Sequence, residues 1–131
     1  MTDASLWETT RKKICEGKIR FDYAKPTSCD LIAVQAFSED GSTFYGSVWF
    51  RHETGNVISI QQSYVPEYLR RSGVRTALHR QLLEWYPETR MIVTGRATEF
   101  SLPWLKKMGF IFNQDFDRWE LAITPSKTKK K

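Results

Sequence analysis

The order of apolar runs and turn signals predicts an α+β domain whose central sheet is mixed, mostly antiparallel, and flanked by helices. In the first half of the chain, strand-like runs alternate with the turn signals Asp40-Gly41 and Glu53 to Asn56, which predicts an antiparallel meander. The runs are 31–37, 43–51 and 57–65. In the second half, helical patterns at 74–86 and 100–108 alternate with a short strand at 91–94, expected to run parallel to 57–65.

The remaining elements are read from local signals. Ser5 to Glu8 resembles a capping box and predicts the start of a first helix, which is expected to end near Gly17. Residues 18–24 alternate and predict a further strand, and the segments 110–112 and 118–123 predict a closing hairpin. The helical periodicity of 74–86 places His79 away from the apolar stripe, so it is expected to face solvent rather than a substrate.

Length and composition predict one compact domain over residues 1–124 and a basic, disordered tail over 125–131. The chain has 131 residues and a net charge of +5, and four lysines lie among the last five residues. No apolar run reaches membrane-spanning length and no signal peptide is visible. Cys15 and Cys29 have no metal or redox spacing, so they are expected to be free thiols in a cytoplasmic setting, and no metal site is predicted.

The segment from Tyr64 to Leu78 has the pattern of an anion-binding loop. An apolar run stops at Pro66, a basic turn with a single glycine follows, and an amphipathic helix begins at once. Phosphate is stabilised at such a helix start by backbone amides and by the helix dipole. The alternative is a solvated helix start. The residues expected to bind the phosphates are Arg70, Arg71, Ser72, Gly73, Val74, Arg75 and Thr76.

Two motifs resemble the GNAT N-acetyltransferase superfamily. The sequence Arg-Arg-Ser-Gly-Val-Arg at 70–75 resembles the coenzyme A pyrophosphate loop, Gln/Arg-x-x-Gly-x-Gly/Ala. It departs at Arg75, at the third position of the expected helix, where the family prefers a small residue; this arginine would either crowd the pyrophosphate or contact it as a cation. Residues 98–110 resemble the late GNAT helix, Asn-x-x-Ala-x-x-Leu-Tyr-x-x-x-Gly-Phe, and match it at Gly109-Phe110. Thr98 and Leu105 replace its asparagine and tyrosine.

The resemblance implies a GNAT-like fold and an acyl-CoA-dependent N-acyltransferase with acetyl-CoA as co-substrate. It also implies that Tyr64 and Val65 would align the thioester. The family's general acid, a tyrosine, is replaced by Leu105, and Gln61 and Gln62 stand where acidic residues are frequent. An amide cannot take a proton at neutral pH.

Tyr64 carries the hydroxyl nearest to the expected thioester and is therefore the candidate catalytic acid. Glu67 and Ser101 offer other polar groups. A structural explanation suits each of the three residues better than a catalytic one: sheet packing for Tyr64, a surface charge for Glu67 and a helix start for Ser101.

Two alternatives remain open from the sequence. One is a non-catalytic GNAT-like binding or structural module, of the kind found among phage proteins. The other is a nucleic-acid-modifying member that uses its lysine tail to hold a polyanion, a less favoured interpretation. The segment before the first hairpin is short for the family that the motifs resemble, which implies an open acceptor site and favours a macromolecular amine. The acceptor itself, the acyl group and the oligomeric state are not indicated, and no membrane partner is expected.

Overall fold

A computed structural model of the chain describes residues 3–26, 30–95 and 101–123. The helices are α1 (Asp3–Cys15), α2 (Val74–Trp85) and α3 (Leu102–Met108), with a 3₁₀ helix at Glu67–Leu69. The strands are β1 (Arg20–Ala24), β2 (Ile32–Phe37), β3 (Phe44–Glu53), β4 (Val57–Tyr64), β5 (Met91–Thr94), β6 (Ile111–Asn113) and β7 (Arg118–Ala122). They form one sheet in the order β1-β2-β3-β4-β5-β7-β6. The predicted α+β class is confirmed.

Contacts divide the chain into two compact units, and the first consists of Met1–Trp49 and Gln62–Trp85. In this unit β1 pairs with β2 in antiparallel fashion, from Arg20 opposite Phe37 to Ala24 opposite Ala33. Helix α2 packs on β2, and α1 packs on α2 and on the 3₁₀ helix. The fully buried apolar side chains of this unit include Val34, Val48, Leu69, Val74, Leu78 and Leu82.

The second unit consists of Phe50–Gln61 and Tyr86–Lys131. Here β4 and β5 run parallel, from Val57 opposite Met91 to Ile60 opposite Thr94, as predicted. Strand β7 is antiparallel to both β5 and β6, so the closing hairpin inserts its second strand next to β5. Among the described residues of this unit, the buried apolar side chains are Phe50, Ile58, Ile60, Ile92, Val93, Leu105 and Phe110.

The first helix begins earlier than its capping signal predicts. Helix α1 starts at Asp3, so Ser5 lies inside its first turn and is not its cap. The predicted end is confirmed, since the Gly17 amide donates to the Ile14 carbonyl over 3.1 Å and Gly17 has a φ of 75°.

His79 is buried, and the expectation that it faces solvent is wrong. Its side chain is 2% exposed. Helix α2 packs on both β2 and α1, so its buried surface is wider than the single apolar stripe in its sequence. Burial, with a smaller effect of the Arg75 charge, lowers the pKa of His79 to about 3. The imidazole is therefore neutral at neutral pH.

Some predictions concern residues outside the described ranges, namely Cys29, Thr98, Phe100 and the tail 125–131. Cys15 is exposed. Among the described residues, no group of histidine, cysteine or acidic side chains is arranged to hold a metal ion. Within the same ranges, every helix is too short or too polar to cross a bilayer.

Candidate functional site

The chain between β4 and α2 is anchored by apolar side chains just before its basic residues. After Tyr64 the chain passes the buried Pro66 and forms the 3₁₀ helix, whose Leu69 amide donates to the Pro66 carbonyl over 2.9 Å. The Leu69 side chain is completely buried, and its neighbour Arg70 is exposed. The anchor at Leu69 therefore fixes the point from which the basic loop begins.

Ser72 shapes this loop through its own hydrogen bonds. The Ser72 amide and hydroxyl both donate to the Leu69 carbonyl, over 3.2 and 2.6 Å. The side chain is 1% exposed, and its hydroxyl is directed at the backbone and not at the start of the helix. Ser72 therefore does not cap α2.

Gly73 is the N-terminal cap of α2. Its carbonyl accepts the first intrahelical hydrogen bond, from the Ala77 amide over 2.9 Å, so Arg75 is the second helical residue and not the third. Gly73 has a φ of 102°, a conformation that side chains with a Cβ adopt only at a cost. The amides at the beginning of α2, with that of Val74 first, precede the helical ladder, and the dipole makes this end positive.

Three arginines lie close to the start of α2 in the sequence: Arg70 and Arg71 before it and Arg75 in its first turn. Arg70 and Arg71 are exposed, and Arg71 has a left-handed φ of 66°. A left-handed conformation costs a non-glycine residue about 1–2 kcal/mol, so the fold imposes it on Arg71. Arg75 is partly buried, and burial lowers its pKa to about 10, which leaves it protonated at neutral pH. The neutral state of His79 avoids a second charge beside it.

Helix α1 holds the loop in place through Trp7. The indole Nε1 of Trp7 donates to the Arg70 carbonyl over 2.8 Å, and the Arg11 guanidinium carbon lies 5.7 Å from the centre of the Trp7 ring system. An open cleft of about 610 Å³ beside this contact is lined by Ala4, Trp7, Glu8 and Tyr68. Trp7 was given no role from the sequence, because it is 63 residues from its partner and belongs to no motif.

Tyr64, the candidate acid, lies at the end of β4 with its side chain 50% exposed. Its ring stacks on Phe44, with ring centres 6.2 Å apart and planes 11° apart, and Phe44 meets Phe37 edge to face. The ring is therefore held on one side and remains accessible. The neighbouring Val65 is partly buried.

Gly46 allows β3 to approach the end of β4 closely. A Cβ built at Gly46 would lie 2.7 Å from the Tyr64 carbonyl oxygen, 3.2 Å from a Val74 methyl group and 3.4 Å from a Val65 methyl group. Three residues of the candidate site thus share one neighbour that tolerates no side chain. The sequence signal was only a glycine inside a strand pattern, which marks a close backbone approach.

The two positions expected to carry acid–base groups hold none. The Gln61 side-chain amide donates to the Ser59 hydroxyl over 2.9 Å, and its oxygen accepts a long hydrogen bond from the Arg51 guanidinium at 3.4 Å. Leu105 is 1% exposed, in the core of its unit. A tyrosine introduced at position 105 would therefore meet packed side chains.

Comparison with known proteins shows the fold and nothing finer. No protein-family model matches the chain, and no curated protein matches it. Solved structures do match. Tetrahymena GCN5 is 16% identical, with a TM-score of 0.63 over 74% of this chain and 71% of that protein. A GNAT-family acetyltransferase from Staphylococcus aureus is 11% identical, with a TM-score of 0.64 over 76% and 72%.

A third match was solved with a ligand. It is an acetyltransferase from Bacillus anthracis in complex with acetyl coenzyme A, 16% identical, with a TM-score of 0.62 over 76% of this chain and 66% of that protein. At these identities the similarity shows that this chain has a GNAT-like fold, as its two motifs predicted.

Proposed function

We propose that the protein is an acyl-CoA-dependent N-acyltransferase that binds acetyl-CoA through residues 70–76. The observation that carries this proposal is the start of α2, where Gly73 caps the helix and the exposed Arg70 and Arg71 precede it. Backbone amides at a helix start and arginine side chains are donors suited to a pyrophosphate. The Bacillus anthracis acetyltransferase, which has the same fold, was solved in complex with acetyl coenzyme A, and this supports the choice of ligand.

The proposed reaction is aminolysis of a thioester. The acceptor nitrogen forms a bond to the acyl carbon as the carbon–sulfur bond breaks, the nitrogen loses a proton to solvent, and the departing sulfur gains a proton. A thiol has a reference pKa of about 8.5, so a thiolate can leave without a proton donor, although less readily. Tyr64 is the proposed donor, and positioning of the two substrates supplies the rest of the acceleration.

The test is calorimetric titration with acetyl-CoA, run beside an assay of thiol release with a panel of amines, peptides and nucleic acids. Saturable binding and amine-dependent thiol release are expected. Absence of binding would contradict the proposed site. Binding without transfer to any acceptor would favour the second candidate, a non-catalytic binding module. Leu105, buried where the family has its acid, is the observation that favours that second candidate.

Tyr64→Phe tests the proton donor. Phenylalanine keeps the ring stacked on Phe44 and removes only the hydroxyl, so acetyl-CoA affinity is expected to remain unchanged while the transfer rate falls about 10²–10⁴-fold. Steady-state rates and calorimetry measure the two effects separately. Tyr23→Phe is the matched control, because Tyr23 is also 50% exposed and lies on β1. Transfer at the parental rate in Tyr64→Phe would show that this hydroxyl is not the acid.

Arg75→Ala tests whether the arginine assists or crowds the ligand. Because Arg75 stays charged beside a neutral His79, we expect the change to weaken acetyl-CoA binding by about 1–3 kcal/mol. Arg80→Ala is the control, since Arg80 is an exposed arginine on the same helix. Calorimetry of both variants gives the comparison. Tighter binding in Arg75→Ala would mean that the arginine obstructs the site. An unchanged affinity would mean that it does not interact with the ligand.

A further inference from the structure

The hairpin of β6 and β7 has an exposed apolar edge. Ile111 is 74% exposed, Phe112 40% and Phe116 66%, three of the five large apolar side chains with high exposure in the described chain. In the order of the described strands, β6 is the last, with β7 on one side. An edge strand of this kind presents backbone donors and acceptors to another strand. We propose that β6 pairs with β6 of a second copy of this chain and forms a twofold-symmetric dimer.

The charges that flank β6 favour a second copy as the occupant. The chain reaches β6 through Lys106 and Lys107, in the last turn of α3, and leaves it through the turn that contains Asp115. All three residues are exposed. In an antiparallel pair related by a twofold axis, the beginning of each strand lies beside the end of the other. The lysines of each copy thereby approach Asp115 of the other.

The register can be stated from the sequence numbers. If the twofold axis passes between the two Phe112 residues, Ile111 lies opposite Asn113 of the copy. The two Phe112 side chains then lie on the same side of the sheet that the two copies share. Asp115 follows β6 of one copy at the end of the strand pair where Lys107 precedes β6 of the other. A parallel arrangement would instead place lysines beside lysines, which disfavours it.

Two charges of the hairpin, those of Arg118 and Glu120, neutralise each other within it. The Arg118 Nε lies 2.7 Å from a carboxylate oxygen of Glu120, and the same guanidinium lies 4.8 Å from the centre of the Phe116 ring. Glu120 also accepts a hydrogen bond from the Asn113 amide over 3.1 Å, and its pKa is lowered chiefly by Arg118. The charges that determine which partner β6 favours are therefore those of the turn that contains Asp115 and those of Lys106 and Lys107 in α3.

The test is a charge exchange across the proposed interface, followed by sedimentation velocity of the full chain. The parent is expected to be a dimer. Lys107→Asp and Asp115→Lys should each weaken dimerisation by about tenfold or more, because each creates two repulsive pairs per dimer. An equimolar mixture of the two variants should dimerise again, since each mixed dimer restores both attractive pairs.

Matched controls separate this effect from a general change in charge. Lys12→Asp alters a lysine in the last turn of α1, as Lys107→Asp does in α3, and Glu88→Lys alters an exposed residue in another loop. Both controls should dimerise like the parent. Circular dichroism should show that all variants remain folded.

Three outcomes would overturn the proposal. They are a parent that stays monomeric at its highest soluble concentration, single variants that dimerise like the parent, and a mixture that remains monomeric. A parent that dimerises only after removal of residues 124–131 would show that the chain's own tail covers the edge, and would also overturn it. The oligomeric state is independent of acetyl-CoA binding, so this test does not depend on the proposed enzymatic function.

Discussion

Replacing Gly73 by glutamate is expected to abolish acetyl-CoA binding while the protein still folds. The new carboxylate would stand at the cap of α2, where the phosphates are proposed to bind, and would repel them. The affinity should fall by more than about a hundredfold, which corresponds to roughly 2.8 kcal/mol. The φ of 102° adds a backbone cost of about 1–2 kcal/mol to folding for any residue with a Cβ. Calorimetric titration measures the first effect and urea denaturation the second.

Gly55→Glu is the control that separates an effect on the binding site from the effect of backbone strain. Gly55 lies in the turn between β3 and β4 with a φ of 87°, and a Cβ built on it meets no atom within 4 Å. The two variants should therefore lose similar amounts of stability, while Gly55→Glu binds acetyl-CoA like the parent. If Gly73→Glu also bound like the parent, the pyrophosphate site would lie elsewhere or would not exist.

The elements of this fold could be predicted because their signals are local. Strand alternation, turn residues and the helical period of residues 74–86 depend on neighbours within a few positions, and the structure confirms the strands within one or two residues. The glycine at position 73 was found for the same reason, since it stands between a strand and a helix. In the structure Gly73 has a φ of 102° and caps α2.

The packing around these elements could not be predicted in the same way. The period of α2 identifies one apolar stripe, but the helix has two packing partners, and His79 is buried as a result. Leu105 stands at the motif position where the family has a tyrosine, and nothing in the motif indicates that its side chain belongs to the core. The contact between Trp7 and Arg70 joins residues far apart in the chain, and a single sequence carries no signal for such a pair.

Gly46→Ala is expected to weaken both folding and acetyl-CoA binding. The added Cβ would lie 2.7 Å from the Tyr64 carbonyl oxygen, a backbone atom that cannot rotate away. Either β3 or the end of β4 must shift, at a cost of about 1–3 kcal/mol in the free energy of unfolding. The same methyl group would press on Val65 and Val74, at 3.4 and 3.2 Å. The shift would therefore reach both the proposed thioester-aligning segment and the first residue of α2.

Val48→Ala shows whether lost stability alone accounts for lost binding. Val48 lies on the same strand, is fully buried, and should cost about 1–3 kcal/mol when truncated. Urea denaturation would match the two variants in stability, and calorimetry at a temperature where both are folded would compare their affinities. We expect Val48→Ala to bind acetyl-CoA like the parent and Gly46→Ala to bind it at least about tenfold more weakly, or 1.4 kcal/mol. Equal affinities would show that the backbone position at Tyr64 and Val65 does not matter for the ligand, and these two residues would then lose their proposed role.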